Sequence, residues 1–431
     1  MHNIPMTLPT VPGDRIVRAM NAGGELVIHT ELQFDHQLDV DRLRRALRLT
    51  FDAEPVLGCH FVDHRKLPWW ERCDDEVLES ALNIVRDRNE LDAFLVAPYR
   101  PDLVPAITAA LLPDSSGDTL LLRVSHEATD AGGSKEIATL LADIYNRLAN
   151  DPDWTPVPNL SGSRCHTQIT RRFPKSAYPS IFVDHISTGA RFFHPAHGFV
   201  FTLPKGRSER PKYLQRFLDR DFTARIVNLG RQYNATINDV ITAAFVRAIE
   251  KLGAGRDDAP IRVASTVDMR RFLPEKQGEA IGNLSTFTHY CFPGNRPGSI
   301  DEALFHMARQ STRRKESWIA APDFLFTFPI VARLPYIHIE KFMRSLFEKN
   351  GTPSAPTSFL SNMGPISRKA ATFDKPAKRA TMLIPPVFAP SFVLGVSGYE
   401  GTLNLNCGLF SLGPQEDKAN RLLDAMLAEI P

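Results

Sequence analysis

Residues 125–133 read Ser-His-Glu-Ala-Thr-Asp-Ala-Gly-Gly, directly after the apolar run TLLLRV at 119–124. That run is short, rich in Leu and Val and bounded by polar residues, the pattern of a buried strand. Such a strand delivers His126 to the edge of a sheet, and Gly132 and Gly133 allow a tight turn into the next element. A helix is expected over 134–149, with Ile137, Leu140, Leu141, Ile144, Tyr145 and Leu148 on one apolar stripe. An imidazole at a strand–turn–helix junction can project into a cleft. A histidine's ordinary pKa, about 6.5, suits it to taking a proton from a hydroxyl or amine near neutrality. Asp130 follows four residues later. With 13 histidines in the chain, a His-x-x-x-Asp spacing should arise by chance about once. A satisfied, partly buried histidine is therefore the competing reading of this local sequence.

Outward from this stretch, strands and helices mix without a regular alternation. Residues 25–34 (ELVIHTELQF) read as a strand, and Asp39 caps a helix with Val40, Leu43 and Leu47 on one face. Shorter strands are expected over 56–62 and 69–72. Residues 150–163 (NDPDWTPVPNLSGS) are rich in Pro, Asn, Asp and Ser and form the best linker candidate. A second strand-and-helix half follows. Thr236 and Asp239 open a helix over 236–252, and Ser299 with Glu302 opens another over 299–315. Strands are expected over 261–267, 358–361, 392–397 and 403–410, and a closing helix over 415–429. This mixture indicates an α+β fold with two units of similar make-up, 1–160 and 161–431. Residues 318–337 are weakly charged, but Pro322, Pro329 and Pro335 break any spanning helix. They read as buried or amphipathic irregular structure, with a lid or tunnel wall as the alternative.

The length of 431 residues suits two or three domains. Hydrophobic residues at 43% and charged residues at 23% are ordinary for a globular protein and exclude a disordered or fibrous chain. A net charge of +2, from 51 Lys+Arg against 49 Asp+Glu, gives no reason to expect nucleic acid as a partner. Cys59, Cys73, Cys165, Cys291 and Cys407 are scattered and odd in number, without a Cys-x-x-Cys. That argues against a metal site or disulfide framework and fits a reducing, cytoplasmic setting. Residues 1–12 carry no secretory signal pattern. No Gly-x-Ser-x-Gly elbow is present, and His126-Glu127 starts like a zinc-protease motif but meets Asp130 where a second histidine belongs. No metal is therefore expected.

The string at 125–133 resembles the HHxxxDG motif of the superfamily that includes chloramphenicol acetyltransferase, peptide-synthetase condensation domains, wax ester synthases and polyketide-associated acyltransferases. Further strings follow in that superfamily's order: TINDVITAAFVRAI at 236–249, VDMRRFL at 267–273 with Gly282-Asn283-Leu284, Ser361-Asn362-Met363-Gly364, and GYEGTL at 398–403. The resemblance implies a V-shaped pseudo-dimer of two acetyltransferase-like lobes with mixed sheets and a catalytic histidine at their junction. It implies that His126 is the general base and that Asp130 is structural, braced by Arg270, with Asn283 in a supporting role. A freestanding acyltransferase follows, moving an acyl group from a coenzyme A or acyl-carrier-protein thioester to an alcohol (or amine) acceptor. The thioester is a co-substrate, no cofactor is bound, and a monomer is expected because both lobes lie in one chain.

Under the same resemblance, Ser361 and Asn362 are candidates to stabilise the oxyanion, with an ordinary strand-end turn as the alternative. Arg368, Lys369, Lys378 and Arg379, with Lys375, form a basic loop that could attract the phosphates of coenzyme A or phosphopantetheine; a solvated surface is the alternative. Two departures stand out: Ser125 replaces the first histidine of the motif, and Ala131 replaces its glycine. They support a second reading, a catalytically silent condensation-like protein that binds a carrier protein or another biosynthetic partner.

Overall fold

A computed structural model describes residues 4–183, 186, 201–204, 206, 208–252, 260–293, 298–316, 318–348 and 358–431. The mixed α+β fold is organised around two large sheets, each with its own core. The first sheet has the strand order Arg379–Leu383, Val27–Gln33, Thr119–Ser125, Ile107–Leu112, Leu82–Ile84. All neighbours are antiparallel except Leu82–Ile84, which runs parallel to Ile107–Leu112. Side chains alternate across a strand. In Thr119–Ser125 this sends Leu120, Leu122 and Val124 into the first core, with Arg123 and Ser125 on the opposite face. Helices Val40–Ala53 and Ala131–Leu148 cover the core side, and each fully buried aliphatic side chain there contributes about 1.5–3 kcal/mol.

The second sheet runs Ser285–Phe292, Ile261–Asp268, Ser358–Pro365, Val393–Tyr399, Thr402–Leu409, Lys212–Leu218. The strand Ser358–Pro365 pairs in parallel with both neighbours, and the other pairings are antiparallel. Helices Ile237–Lys251 and Gly413–Leu427 pack into the core of this lobe. Thr236 and Asp239 form the expected reciprocal cap of the first of these. A small third sheet joins Thr7–Pro9, Trp69–Arg72 and Cys59–Val62.

One strand crosses between the lobes. Arg379–Leu383 lies far downstream of residue 160, yet pairs with Val27–Gln33 at the edge of the first sheet. The first core also draws Ile366, Ala371, Phe373, Met382 and Ile384 from this part of the chain. Met382 and Ile384 in turn meet Ser397 and Asn406 of the second sheet through hydrogen bonds of 3.0–3.3 Å. The 150–163 stretch carries no helix or strand but is pinned: Asn159 donates to Glu54 at 2.7 Å and to the Glu279 carbonyl at 2.9 Å.

Two local expectations change. Residues 318–337 are largely helical rather than irregular, with a π-turn at Asp323–Thr327 and a helix at Phe328–Arg333. Pro329 sits in the first helical turn, where the missing N–H has no intrahelical partner to lose, so it does not break the helix. The helix expected from 134 begins at Ala131, because Asp130 caps it by accepting from the Gly133 N–H at 2.9 Å. Gly132 and Gly133 are therefore in the first helical turn and do not form a tight turn before it. No helix among the described residues is long and apolar enough to cross a membrane.

Candidate active site

His126 continues the sheet by one residue beyond Ser125, its N–H donating to the Leu26 carbonyl at 3.0 Å. The chain then turns, with the Ala128 and Thr129 N–H groups returning to the Ser125 carbonyl at 3.1 and 3.3 Å. The second lobe holds this turn by its backbone. The Asn283 amide donates to the carbonyls of His126 at 3.0 Å and Glu127 at 2.9 Å. Thr129 donates to the Gly282 carbonyl at 3.2 Å. The imidazole is half-buried, and its Nδ1 makes no hydrogen bond among the described residues. Two other histidines are packed away: burial, reinforced by Arg123, pushes His29 down to about 3, and burial pushes His166 down to about 4.

Asp130 and Arg270 lie against each other across the lobe junction. Arg270 Nη1 donates to both carboxylate oxygens, at 2.8 and 3.0 Å. Its Nη2 donates to the Gly282 carbonyl at 2.9 Å, and its Nε to Glu136 at 3.1 Å. Asp130 also accepts from the Leu284 N–H at 2.7 Å. Burial opposes ionisation of Asp130, but the guanidinium outweighs it and holds the carboxyl below the usual range. Burial pushes Glu136 the other way, upward, despite the same arginine. Every oxygen of Asp130 is thus committed to the brace and the helix cap. Asp130 is therefore bound within the structure, whereas His126 Nδ1 makes no hydrogen bond among the described residues.

The first-turn glycines make room for the brace. A Cβ on Gly132 would stand 2.6 Å from Arg270 Nη1 and 2.7 Å from Asp268 Oδ2. Replacing a helical glycine with alanine ordinarily stabilises by about 1 kcal/mol. Gly132→Ala is expected to do the reverse and to destabilise by about 1–3 kcal/mol through overpacking, read as a lower urea midpoint.

Several supports carry no motif signal. Arg164, just past the 150–163 stretch, donates to Asp14 at 2.9 and 3.1 Å, to the Ala128 carbonyl at 3.0 Å and to the Ile281 carbonyl at 2.8 Å. It clamps the His126 turn between the first helix, Pro12–Met20, and the second lobe. Lys135, in the helix after the turn, donates to the Met363 carbonyl at 2.7 Å. This ties that helix to the strand end carrying Ser361 and Asn362. The Asn362 side chain accepts from the Gly364 N–H at 2.9 Å, a turn contact, and Ser361 lies 3.5 Å from the Thr266 hydroxyl. No hydrogen bond among the described residues joins either side chain to His126. The basic residues are engaged separately: Arg368 with Glu400 at 3.5 Å, Lys369 with Asp143 at 2.7 Å, and Arg379 over the Phe217 ring at 4.7 Å. The Lys378 backbone N–H donates to the Gln33 carbonyl at 2.7 Å.

A cavity of about 300 Å³ opens beside the turn, its walls including Arg18, Asn21, Leu26, Tyr99, Glu127 and Phe410. Leu26 and Glu127 connect it to His126, one by hydrogen bond and one by the chain; the imidazole itself is not in its wall.

Residues 207–277, which include Arg270, match the profile of the phthiocerol/phthiodiolone dimycocerosyl transferase C-terminus. No curated protein matches the chain in sequence. Solved structures match over nearly its whole length. Polyketide synthase associated protein 5 from Mycobacterium tuberculosis superposes with a TM-score of 0.66 at 15% identity, covering 98% of each chain. The trichothecene 15-O-acetyltransferase TRI3 from Fusarium sporotrichioides gives 0.71 at 14% identity, covering 99% of this chain and 95% of that one. The first condensation domain of the CDA synthetase gives 0.70 at 15% identity, covering 99% and 97%. The chain has the two-lobed fold of the condensation and CoA-dependent acyltransferase superfamily. At these identities the likeness is one of fold, and the chemistry rests on this chain's own residues. Within the superfamily fold, the motif's two departures are both accommodated. Ala131 occupies the first helical position, partly buried against the core. The Ser125 hydroxyl donates to Glu127 at 2.6 Å.

Proposed function

We propose that the protein is a freestanding acyltransferase that moves an acyl group from a coenzyme A or carrier-protein thioester to an alcohol or amine, with His126 as general base. The observation that carries this reading is the double clasp on the His126 turn. Asn283 holds the carbonyls of residues 126 and 127, and Arg270 holds Asp130, so the second lobe aims a loop of the first. Such preorganisation supports catalysis by proximity.

In this mechanism the imidazole removes the proton of the acceptor hydroxyl or amine as that group attacks the thioester carbonyl. The carbon–sulfur bond then breaks, and His126 returns the proton to the leaving sulfur, which departs as the free thiol and leaves the imidazole neutral. No acyl-enzyme forms, because the thioester is already activated. Ser361 and nearby backbone N–H groups are the proposed donors to the oxyanion, where one donor contributes about 2.7–4 kcal/mol in comparable sites. Lys378 and Arg379 are the proposed contacts for the donor's phosphates, with Arg368 and Lys369 at the periphery in their ion pairs. The product is an ester or amide, and the co-substrate is the only carrier group required.

The test is thiol release from acyl-coenzyme A and from acyl carrier protein, measured with a panel of alcohols and amines. Acceptor-dependent release is expected. Release independent of acceptor would mean hydrolysis. Silence with every donor, alongside tight carrier-protein binding, would replace this reading with that of a silent binding protein.

A further inference from the structure

The proposed mechanism leaves one buried acid beside the base without a task. Glu127, next in the chain to His126, is 1% exposed. Removing a carboxylate from water is strongly unfavourable unless donors replace the lost hydration. Here three donors converge: the Ser125 hydroxyl at 2.6 Å, the Asn21 amide at 2.8 Å and the Arg18 guanidinium at 3.4 Å. Arg18 is also paired with Asp63. Ser125 belongs to the strand that delivers His126, whereas Arg18 and Asn21 belong to the first helix and the turn after it. The carboxylate therefore ties the His126 turn to the N-terminal helix, on a contact separate from the Asn283 and Arg270 clasp.

Ser125 makes this possible by being small. Its hydroxyl donates to Glu127 at 2.6 Å, and Ser125 is itself fully buried, so a larger side chain at this position would have to displace a neighbour. Ser125 and Glu127 are thus a matched pair. The unusual residue at the motif's first position and the buried acid two residues later are one feature of the structure.

We propose that Glu127, held by Ser125, Asn21 and Arg18, is a positioning residue that fixes the turn carrying the His126 imidazole, and that the Ser125–Glu127 pair stands where the motif has its first histidine. The proposal rests on the acyltransferase reading for its kinetic consequence but not for its structural one. The experiment therefore has two arms.

The first arm measures the rate at which diethyl pyrocarbonate modifies His126, followed by peptide mass spectrometry against the exposed His64 as internal reference. Glu127→Gln is expected to change the His126 rate by about threefold or more while His64 is unchanged. The second arm measures acyl transfer. Glu127→Gln should lower kcat by about tenfold to a hundredfold, the scale seen when a supporting contact of a reactive group is lost, with KM nearly unchanged. Ser125→His should be similarly impaired, and Ser125→His with Glu127→Ala should recover about tenfold over Ser125→His alone, a coupling that independent sites would not show. An unchanged His126 modification rate in Glu127→Gln overturns the proposal. So does a loss confined to KM. Altered His126 modification with no acyl transfer in any variant, wild type included, would uphold the positioning role and overturn the acyltransferase reading instead.

Discussion

Replacing His126 with alanine is expected to lower kcat by about 10²–10⁴-fold, the range general-base catalysis supplies, with little change in Tm. Both halves follow from the contacts. The bonds that hold the turn go to the backbone of residue 126: its N–H to Leu26 and its carbonyl from Asn283. An alanine keeps both. The imidazole is half-buried, and its Nδ1 makes no protein hydrogen bond among the described residues, so removing it breaks no network. The measurement is thiol release at saturating acceptor, with thermal unfolding of the same preparation. A fully active, folded variant would end the assignment of His126 as the base. A variant that loses activity only because it unfolds would show the ring to be packing.

Arg270→Met is expected to destabilise the protein by about 3–5 kcal/mol, because truncating one partner strands a buried charge. That is a sizeable share of the 5–15 kcal/mol typical of a whole domain. The methionine keeps much of the volume but strands Asp130, leaves Glu136 without its guanidinium and frees the Gly282 carbonyl. Arg270→Lys should recover only part of the loss, since one ammonium lacks the fork that reaches all three groups. The pH dependence carries a sign. In the wild type Asp130 is held below the usual range, so the pair contributes stability above the unfolded carboxylate value of about 3.9 and loses it as pH falls through the lowered folded value. In Arg270→Met the carboxyl is buried without its cation and is pushed upward, so that variant gains stability as pH falls from neutrality. The difference in Tm is therefore expected to be widest near pH 7 and to narrow below about pH 4. A difference that stays constant across this range would mean the loss comes from packing rather than charge.

Much of the site was legible along the chain because its parts are local. The apolar strand before His126 and the reciprocal cap at Thr236 and Asp239 both depend on neighbours within a few residues. The ordered motifs suggested that Asp130 and Arg270 belong together although 140 residues separate them. Glu127 and Arg164 were not legible. An acid between a histidine and an alanine, or an arginine after a Pro-rich stretch, has the same local pattern whether it is solvated or clamped. The role of Gly132 was misread for a related reason. A glycine that permits a turn and one that makes room for a guanidinium look alike until the packing is known.

By itself the sequence determined an α+β mixture in two units and one histidine at a strand end, since period, capping and turn chemistry act over short distances; the pairing of two lobes with mixed sheets came from the resemblance of its ordered motifs. Only the tertiary structure decided how that imidazole is held. The crossing strand Arg379–Leu383, the clasp by Asn283 and Arg270 and the burial of Glu127 join segments more than a hundred residues apart. Contacts at that separation are set by shape and desolvation in the folded chain, for which no local pattern of residues is a record.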